Sequence, residues 1–185
     1  MKGASIEAKN VFNNTPLHRA AVKGHIGTVE LLLTKGASIE ATNEFNNTPL
    51  QLAAWKGHPS TVELLLTKGA SIEATTKSLN TPLHLAALEG HTGTVELLLT
   101  KGASIEATTK MLNTPLHLAA REGHTSTVEL LLGKGASIEA INELGKTPLH
   151  HAAQGGHTDT MKLFKNKAAE PAAQEKKRDM DMNHT

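Results

Sequence analysis

The eleven histidines are the residues of this sequence best suited to bind a metal or to move a proton. Four of them follow the tripeptide Thr-Pro-Leu, and five follow a glycine: His18, His84, His117 and His150, then His25, His58, His91, His124 and His157. Gln51 occupies the remaining position of the first set, while His151 and His184 lie outside both sets. Within each set the spacing is 33 residues or a multiple of it.

This periodicity favours a structural role for the imidazoles over a catalytic or metal-binding one. A catalytic centre needs a few groups in unlike environments that converge on one pocket, whereas each copy of a repeated histidine meets the same surroundings. An imidazole can instead bridge backbone groups of adjoining loops. The sequence contains no Gly-rich phosphate loop, His-Glu-x-x-His motif or nucleophile elbow. We therefore predict no enzyme activity, no metal site and no cofactor.

Composition argues against several other classes of function. Lys and Arg total 19 against 18 Asp and Glu, and the formal charge of +1 gives no strong field for holding nucleic acid. The absence of cysteine excludes disulfide frameworks and thiolate chemistry. The N-terminal segment lacks the apolar centre of a secretory signal, and no apolar stretch is long enough to span a bilayer. We expect an intracellular, cytoplasmic protein without a membrane anchor, and a nuclear location stays open.

The elements that position the histidines belong to a repeated unit of 33 residues. Thr15 suits a helix N-cap, Pro16 the first helical position, and Gly24 a left-handed C-terminal cap. A leucine-rich second helix follows and ends at Gly36, and a turn or hairpin-like loop completes the unit. Helices this short need neighbours for stability, so the sequence predicts an all-α-dominated repeat solenoid.

The pattern Thr-Pro-Leu-His-x-Ala-Ala-x-x-Gly-His, followed by Val-Glu-Leu-Leu-Leu and Gly-Ala, resembles the ankyrin repeat. The resemblance covers residues 2–167 and implies an ankyrin-type stack of antiparallel helix pairs with projecting β-hairpin loops. We place the repeat array at residues 1–167 and expect a disordered tail at residues 168–185. The five helix pairs are expected near residues 15–35, 48–68, 81–101, 114–134 and 147–167.

Two sets of residues depart from the ankyrin pattern. The family favours glycine near the hairpin tip, but that position holds Asn13, Asn46, Leu79, Leu112 and, in agreement with the family, Gly145. Because leucine is strained at a positive φ, we predict a different turn at the third and fourth tips. Glutamate replaces the usual asparagine late in each repeat, at Glu7, Glu40, Glu73, Glu106 and Glu139. We interpret this glutamate column as a solvated face.

Positions that differ between otherwise copied repeats are the candidates for partner choice. These differences concentrate at the hairpin tips and near the end of the first helix of each unit. In proteins of the resembled family, these two regions line one concave face that binds proteins. Exposed apolar residues in a row indicate a binding patch, and Trp and Arg are common interface anchors. The predicted partner-binding residues are Phe12, Val22, Phe45, Trp55, Lys56, Leu88, Met111, Leu112, Arg121 and Leu144.

We predict a noncovalent protein–protein interaction module or adaptor, monomeric, that binds another protein through the hairpin tips and the concave face. The alternative is a structural spacer or a self-associating array without a dedicated ligand. A first repeat with an uncovered apolar helix surface supports end-to-end pairing, and Arg19 is the main obstacle to it. Arg19 and His151 are interpreted as polar caps, because leucine occupies the same position in the three central repeats.

Overall fold

The structure is a computed structural model that describes residues 5–169. Within that range the chain forms ten α-helices and no β-strand. The first nine are α1 (Pro16–Lys23), α2 (Ile26–Thr34), α3 (Pro49–Trp55), α4 (Pro59–Thr67), α5 (Pro82–Leu88), α6 (Thr92–Thr100), α7 (Pro115–Glu122), α8 (Thr125–Gly133) and α9 (Pro148–Gln154). The tenth helix, α10, covers residues 158–169. This order is the predicted ankyrin-type stack of helix pairs.

The first helix of each repeat begins at the predicted threonine and proline. The Thr15 hydroxyl accepts a hydrogen bond from the backbone N–H of His18, and Pro16 occupies the first turn of α1. The His18 ring in turn accepts from the backbone N–H of Thr15, which completes a capping box. The same capping box begins α3, α5, α7 and α9. Gly24 ends α1 in the left-handed conformation, with a φ of 66°.

Two rows of helices carry the core of the stack. In one row α1, α3, α5, α7 and α9 pack successively on one another, and in the other α2, α4, α6 and α8 do the same. Ala53 and Ala54 of α3 are fully buried, and their small side chains allow the first helices to approach closely. Val62 and Leu65 of α4 are also fully buried. Each short helix is therefore stabilised by burial against its neighbours.

The loops between repeats are hairpin-like turns that project from the helices. The Asn43 side chain closes one of them, because its Oδ1 accepts from the backbone N–H groups two and four residues later, at 3.0 Å each. The Thr76 hydroxyl does the same in the next loop. Successive tips are joined through the backbone, as where the N–H of Glu44 donates to the carbonyl of Phe12 at 3.1 Å. The tips therefore form one continuous row.

The prediction of a different turn at the third and fourth tips is wrong. Leu79 and Leu112 have φ angles of 60° and 58°, close to the 59° and 61° of Asn13 and Asn46 at the equivalent positions. The shared turn is fixed by backbone hydrogen bonds within each loop and between successive tips. These bonds outweigh the roughly 1–2 kcal/mol that a residue with a Cβ loses in the left-handed region.

Replacing Leu79 or Leu112 by asparagine, the residue at the first two tips, relieves this strain. We expect each substitution to raise the free energy of unfolding by about 1 kcal/mol, measured by urea denaturation. Gly145→Leu is the reverse control, because a Cβ at this left-handed glycine has nothing within 4 Å and only the backbone conformation is tested. A loss of stability in Leu79→Asn would mean that leucine packing outweighs the strain.

The glutamate column is not merely a solvated face. The Glu40 carboxylate accepts a hydrogen bond from the backbone N–H of Ser71 in the next repeat, at 2.8 Å. Glu7, Glu73 and Glu106 make the same bond to the serine 31 residues later. The longer glutamate thus reaches across the repeat boundary, and each bond fixes one loop against its neighbour.

The two ends of the stack present different surfaces. Phe164 of α10 occupies the core position of the central leucine and is 2% exposed, while Lys165, in place of the third leucine, is exposed as a polar cap requires. At the other end, Ile26 and Leu31 of α2 are 41% and 57% exposed. The predicted disordered tail lies outside the described residues, except for residues 168–169, which are helical.

Candidate partner-binding site

A groove on the first two repeats gathers four of the ten predicted binding residues. This aromatic groove has a volume of about 660 Å³ and is lined by Phe12, Asn14, His18, Arg19, Val22, Lys23, Asn43, Phe45, Asn47, Leu52 and Trp55. Two adjacent hairpin tips supply Phe12 and Phe45, while α1 and α3 supply Val22 and Trp55. The 33-residue period brings these segments together, because it places equivalent tips and helix ends side by side.

The indole of Trp55 is held in place within the groove. Its Nε1–H donates to the Glu89 carboxylate at 3.0 Å, and the Lys56 ammonium lies 3.8 Å from the ring centroid. The side chain is still 36% exposed. An aromatic anchor fixed before binding loses little conformational entropy when a partner docks.

The charged residues that line the aromatic groove are both cations. Arg19 and Lys23 lie four residues apart on α1, on the same side as Val22, which places the three side chains on one helix face. No aspartate or glutamate lines the groove. The groove is therefore apolar across its aromatic surface and positively charged along α1.

Two asparagine side chains in the groove, Asn43 and Asn47, differ in their hydrogen bonding. The Asn43 Nδ2 donates to the Oδ1 of Asn14 at 2.9 Å and links the two tips. The side-chain amide of Asn47 has no hydrogen-bond partner among residues 5–169, although its backbone groups do. A side-chain amide offers both donors and acceptors, which matches the backbone of an extended peptide.

The other six predicted residues lie outside the lining of the aromatic groove. Lys56 covers the Trp55 ring at its edge, and Arg121 is paired with the adjacent Glu122 at 2.8 Å. Leu88, at the end of α5, is half-buried. The three remaining residues are exposed apolar side chains on the later hairpin tips: Met111, Leu112 and Leu144.

Three of the four histidines of the first set, His18, His84 and His117, bridge adjacent repeats. The His84 Nδ1 accepts from the backbone N–H of Thr81 at 3.2 Å, and its Nε2–H donates to the carbonyl of Asn113 in the next repeat at 3.1 Å. Burial lowers the pKa of His84 from 6.5 to about 4. The pKa values of His18 and His117 are lowered by the same cause. These three imidazoles link adjacent repeats, as the structural interpretation of their periodicity expects, and their lowered pKa values favour the neutral ring.

Four of the five histidines of the second set cover the glycine that ends the first helix of the preceding repeat: His58, His91, His124 and His157. The His91 ring lies against Gly57, so close that a Cβ there would be 2.5 Å from the ring, and its Nε2–H donates to the carbonyl of Trp55 at 3.1 Å. His58, His124 and His157 make the same bond to the preceding repeat. In residues 5–169, no group of three or more His, Cys, Asp or Glu side chains could hold a metal ion.

The sequence interpretation missed the polar and cationic part of the groove. Arg19, interpreted as a polar cap because it replaces a framework leucine, is exposed and also lines the groove. Lys23 lies immediately after Val22 at a position that varies between repeats, which is the signal that could have identified it. Leu52 and Asn47 carry no such signal, because their residue types recur at equivalent positions in other repeats.

Stacked helix pairs, a row of hairpin tips and an open groove define a repeat solenoid. The sequence matches the family described as ankyrin repeats (3 copies) at residues 1–76, 42–109 and 73–142, and a single ankyrin repeat at residues 144–176. The chain belongs to the ankyrin repeat family. Ankyrin repeats are generally non-enzymatic protein–protein interaction modules.

A search of curated proteins gave no match. Among the helices of the described residues, 5–169, none has the length and apolar character needed to cross a membrane.

Proposed function

We propose that the repeat array, residues 1–167, binds another protein noncovalently and that the aromatic groove is its principal contact. The observation that carries this proposal is the convergence of Phe12, Phe45 and Trp55, from three separate segments, on one open groove. They are 51%, 55% and 36% exposed, so the fold leaves much of their aromatic surface in water. Clustered exposed aromatic residues are typical of protein-binding sites.

The remaining predicted residues extend this contact along the stack. Lys56 and Leu88 follow the aromatic groove along the ends of the first helices, and the later hairpin tips carry Met111, Leu112 and Leu144. A standard interface buries roughly 1,200–2,000 Å² in total, which needs more surface than the groove alone provides. We therefore infer that the groove binds the main anchoring residues of the partner and that the later repeats make weaker peripheral contacts.

The proposal is tested with peptides selected against the intact protein from a random display library. We expect Phe45→Ala with Trp55→Ala to weaken the binding of the selected peptides at least about tenfold, since aromatic anchors dominate interface energies. Fluorescence anisotropy of labelled peptides measures the affinity. Trp55 is the single tryptophan of the chain, so its emission gives a second signal from within the groove.

The matched control is Met111→Ala with Leu144→Ala, which removes two exposed apolar side chains outside the aromatic groove. We expect this variant to keep the affinity within about threefold, as is usual for residues outside a hot spot. Circular dichroism of both double variants checks that the helices are intact. Selected peptides that bind both double variants as tightly as the unaltered protein would remove the groove from the binding site.

A further inference from the structure

The cations of the aromatic groove have no carboxylate to neutralise them. The ion pairs within residues 5–169 are Lys101 with Glu63, Arg121 with Glu122 and Lys162 with Asp159. Arg19 and Lys23 take part in none of them, and the lining of the groove contributes no acidic side chain. A partner that enters the groove therefore meets unpaired positive charge along α1, while the Glu89 carboxylate is held at the Trp55 indole.

At the end of the first helix, one position holds lysine only in the first two repeats. The position of Lys23 at the end of α1 recurs every 33 residues and holds Lys56 in the second repeat, then Glu89 and Glu122. Glu89 is engaged by the Trp55 indole, and Glu122 by Arg121. The charge at this repeat position thus changes from positive to negative where the aromatic groove ends. The groove therefore differs in charge from the rest of the row.

On the basis of the proposed function, we propose that the aromatic groove binds an extended acidic peptide segment in which two carboxylates flank bulky apolar side chains. Lys23 and Lys56 occupy equivalent positions in adjacent repeats, and packed helices lie about 8–10 Å apart. An extended chain advances about 3.3 Å per residue, so carboxylates three residues apart match the spacing of these two helix positions. Apolar side chains between them would contact Trp55 and Phe45.

The polar groups of the groove fit an extended chain. The free side-chain amide of Asn47 can pair with a peptide group of the segment while the carboxylates contact the cations. Arg19 lies one helical turn before Lys23 and can form a two-pronged hydrogen-bonded pair with a carboxylate. Apolar contact, backbone pairing and charge therefore act together on one short segment.

Single-stranded nucleic acid is also anionic and also stacks on aromatic rings, but the groove suits it less well. Its lining cations number two, Arg19 and Lys23, whereas single-strand binders track the backbone with a long positive channel. The chain as a whole carries a formal charge of only +1. A peptide that uses apolar contact as well as charge matches this lining better.

The test uses fluorescein-labelled peptides and the whole protein. The acidic probe is Gly-Ser-Glu-Phe-Leu-Glu-Ser-Gly, and its two comparison peptides replace both glutamates by lysine or the Phe-Leu pair by Ser-Ser. We expect the acidic probe to bind at least about tenfold more tightly than either comparison peptide, with an affinity that falls as salt is added. Oligothymidylate, a single-stranded DNA, serves as the nucleic-acid arm.

A charge-reversed groove provides the matched variant. We expect Arg19→Glu with Lys23→Glu to weaken binding of the acidic probe at least about tenfold and to make the lysine peptide the tighter ligand. Lys35→Glu with Lys68→Glu changes the net charge equally at exposed positions outside the groove, and we expect less than about a twofold effect from these screened surface charges.

Several results would overturn the acidic-segment proposal. They are no binding of the acidic probe up to about 1 mM, equal binding of the lysine peptide, equal losses in the two charge variants, or tighter binding of oligothymidylate. If display-selected peptides still depend on Phe45 and Trp55 but carry no acidic residues, this proposal fails and the proposed function stands. If neither kind of peptide responds to groove substitutions, both fail.

Discussion

Lowering the pH from 7 to 5 is expected to destabilise the protein by about 2 kcal/mol through His84 alone. Burial lowers the pKa of this ring to about 4, whereas the unfolded chain titrates near 6.5. Between these values the unfolded state binds a proton that the folded state does not. The contribution of His84 is therefore complete above pH 6.5 and is lost as the pH falls towards 4.

Burial of the His84 ring causes this linkage, because it disfavours the charged form. The Nδ1 of the neutral ring accepts the backbone N–H of Thr81 and lies 2.8 Å from the Thr81 hydroxyl. His18 and His117 have the same bonds and lowered pKa values, so they add to the effect in the same direction. Urea denaturation midpoints at several pH values measure the sum.

Gln51 occupies the position of the buried histidines in the second repeat and makes equivalent hydrogen bonds without a titratable ring. Its Oε1 accepts the backbone N–H of Thr48 at 2.8 Å, and its Nε2 donates to the carbonyl of Asn80 at 3.1 Å. We expect the triple variant His18→Gln, His84→Gln, His117→Gln to keep the fold and to lose most of the pH dependence between 7 and 5. An unchanged pH dependence in that variant would show that other groups cause it.

Gly57→Ala is expected to lower the free energy of unfolding by about 2 kcal/mol more than Gly69→Ala. Both glycines have a positive φ, of 67° and 93°, so both substitutions strain the backbone. A Cβ at Gly57 would also lie 2.5 Å from the His91 ring, while one at Gly69 would have nothing within 4 Å. The ring cannot move freely, because its Nε2–H is bonded to the Trp55 carbonyl.

A double-mutant cycle separates the clash from the backbone strain. His91→Ala removes the ring, and we expect Gly57→Ala to cost about as much as Gly69→Ala in that background. Urea denaturation of the four variants measures the coupling free energy. A coupling near zero would mean that the His91 ring moves aside without loss, so that only the conformation of Gly57 matters.

Much of the fold could be predicted from local residue chemistry. The threonine caps, the prolines of the first turns and Gly24 act within a few residues of their own position, so their pattern gave the helix pairs. The 33-residue period then predicted that the helix pairs stack, because short helices can bury their apolar faces only against copies of themselves. Phe45 and Trp55 stood out as variable residues on this constant framework.

Other features depended on neighbouring repeats and escaped prediction. Leu79 adopts a turn that its own side chain disfavours, because hydrogen bonds within the loop and to the adjoining tips fix the backbone. Glu40 acquires a backbone partner 31 residues away that no local pattern reveals. Arg19, interpreted from the sequence only as a polar end of the stack, also lines a groove shared with the second repeat.

The sequence by itself determined the repeat, the helix pairs and the structural role of the periodic histidines, since these follow from short-range chemistry repeated at a fixed interval. Only the tertiary structure decided which variable side chains meet. Stacking brings Phe12, Phe45 and Trp55 beside Arg19 and Lys23, although they lie up to 43 residues apart in the chain. These side chains come together because they point to the same side of adjacent repeats. That arrangement depends on how the repeats pack.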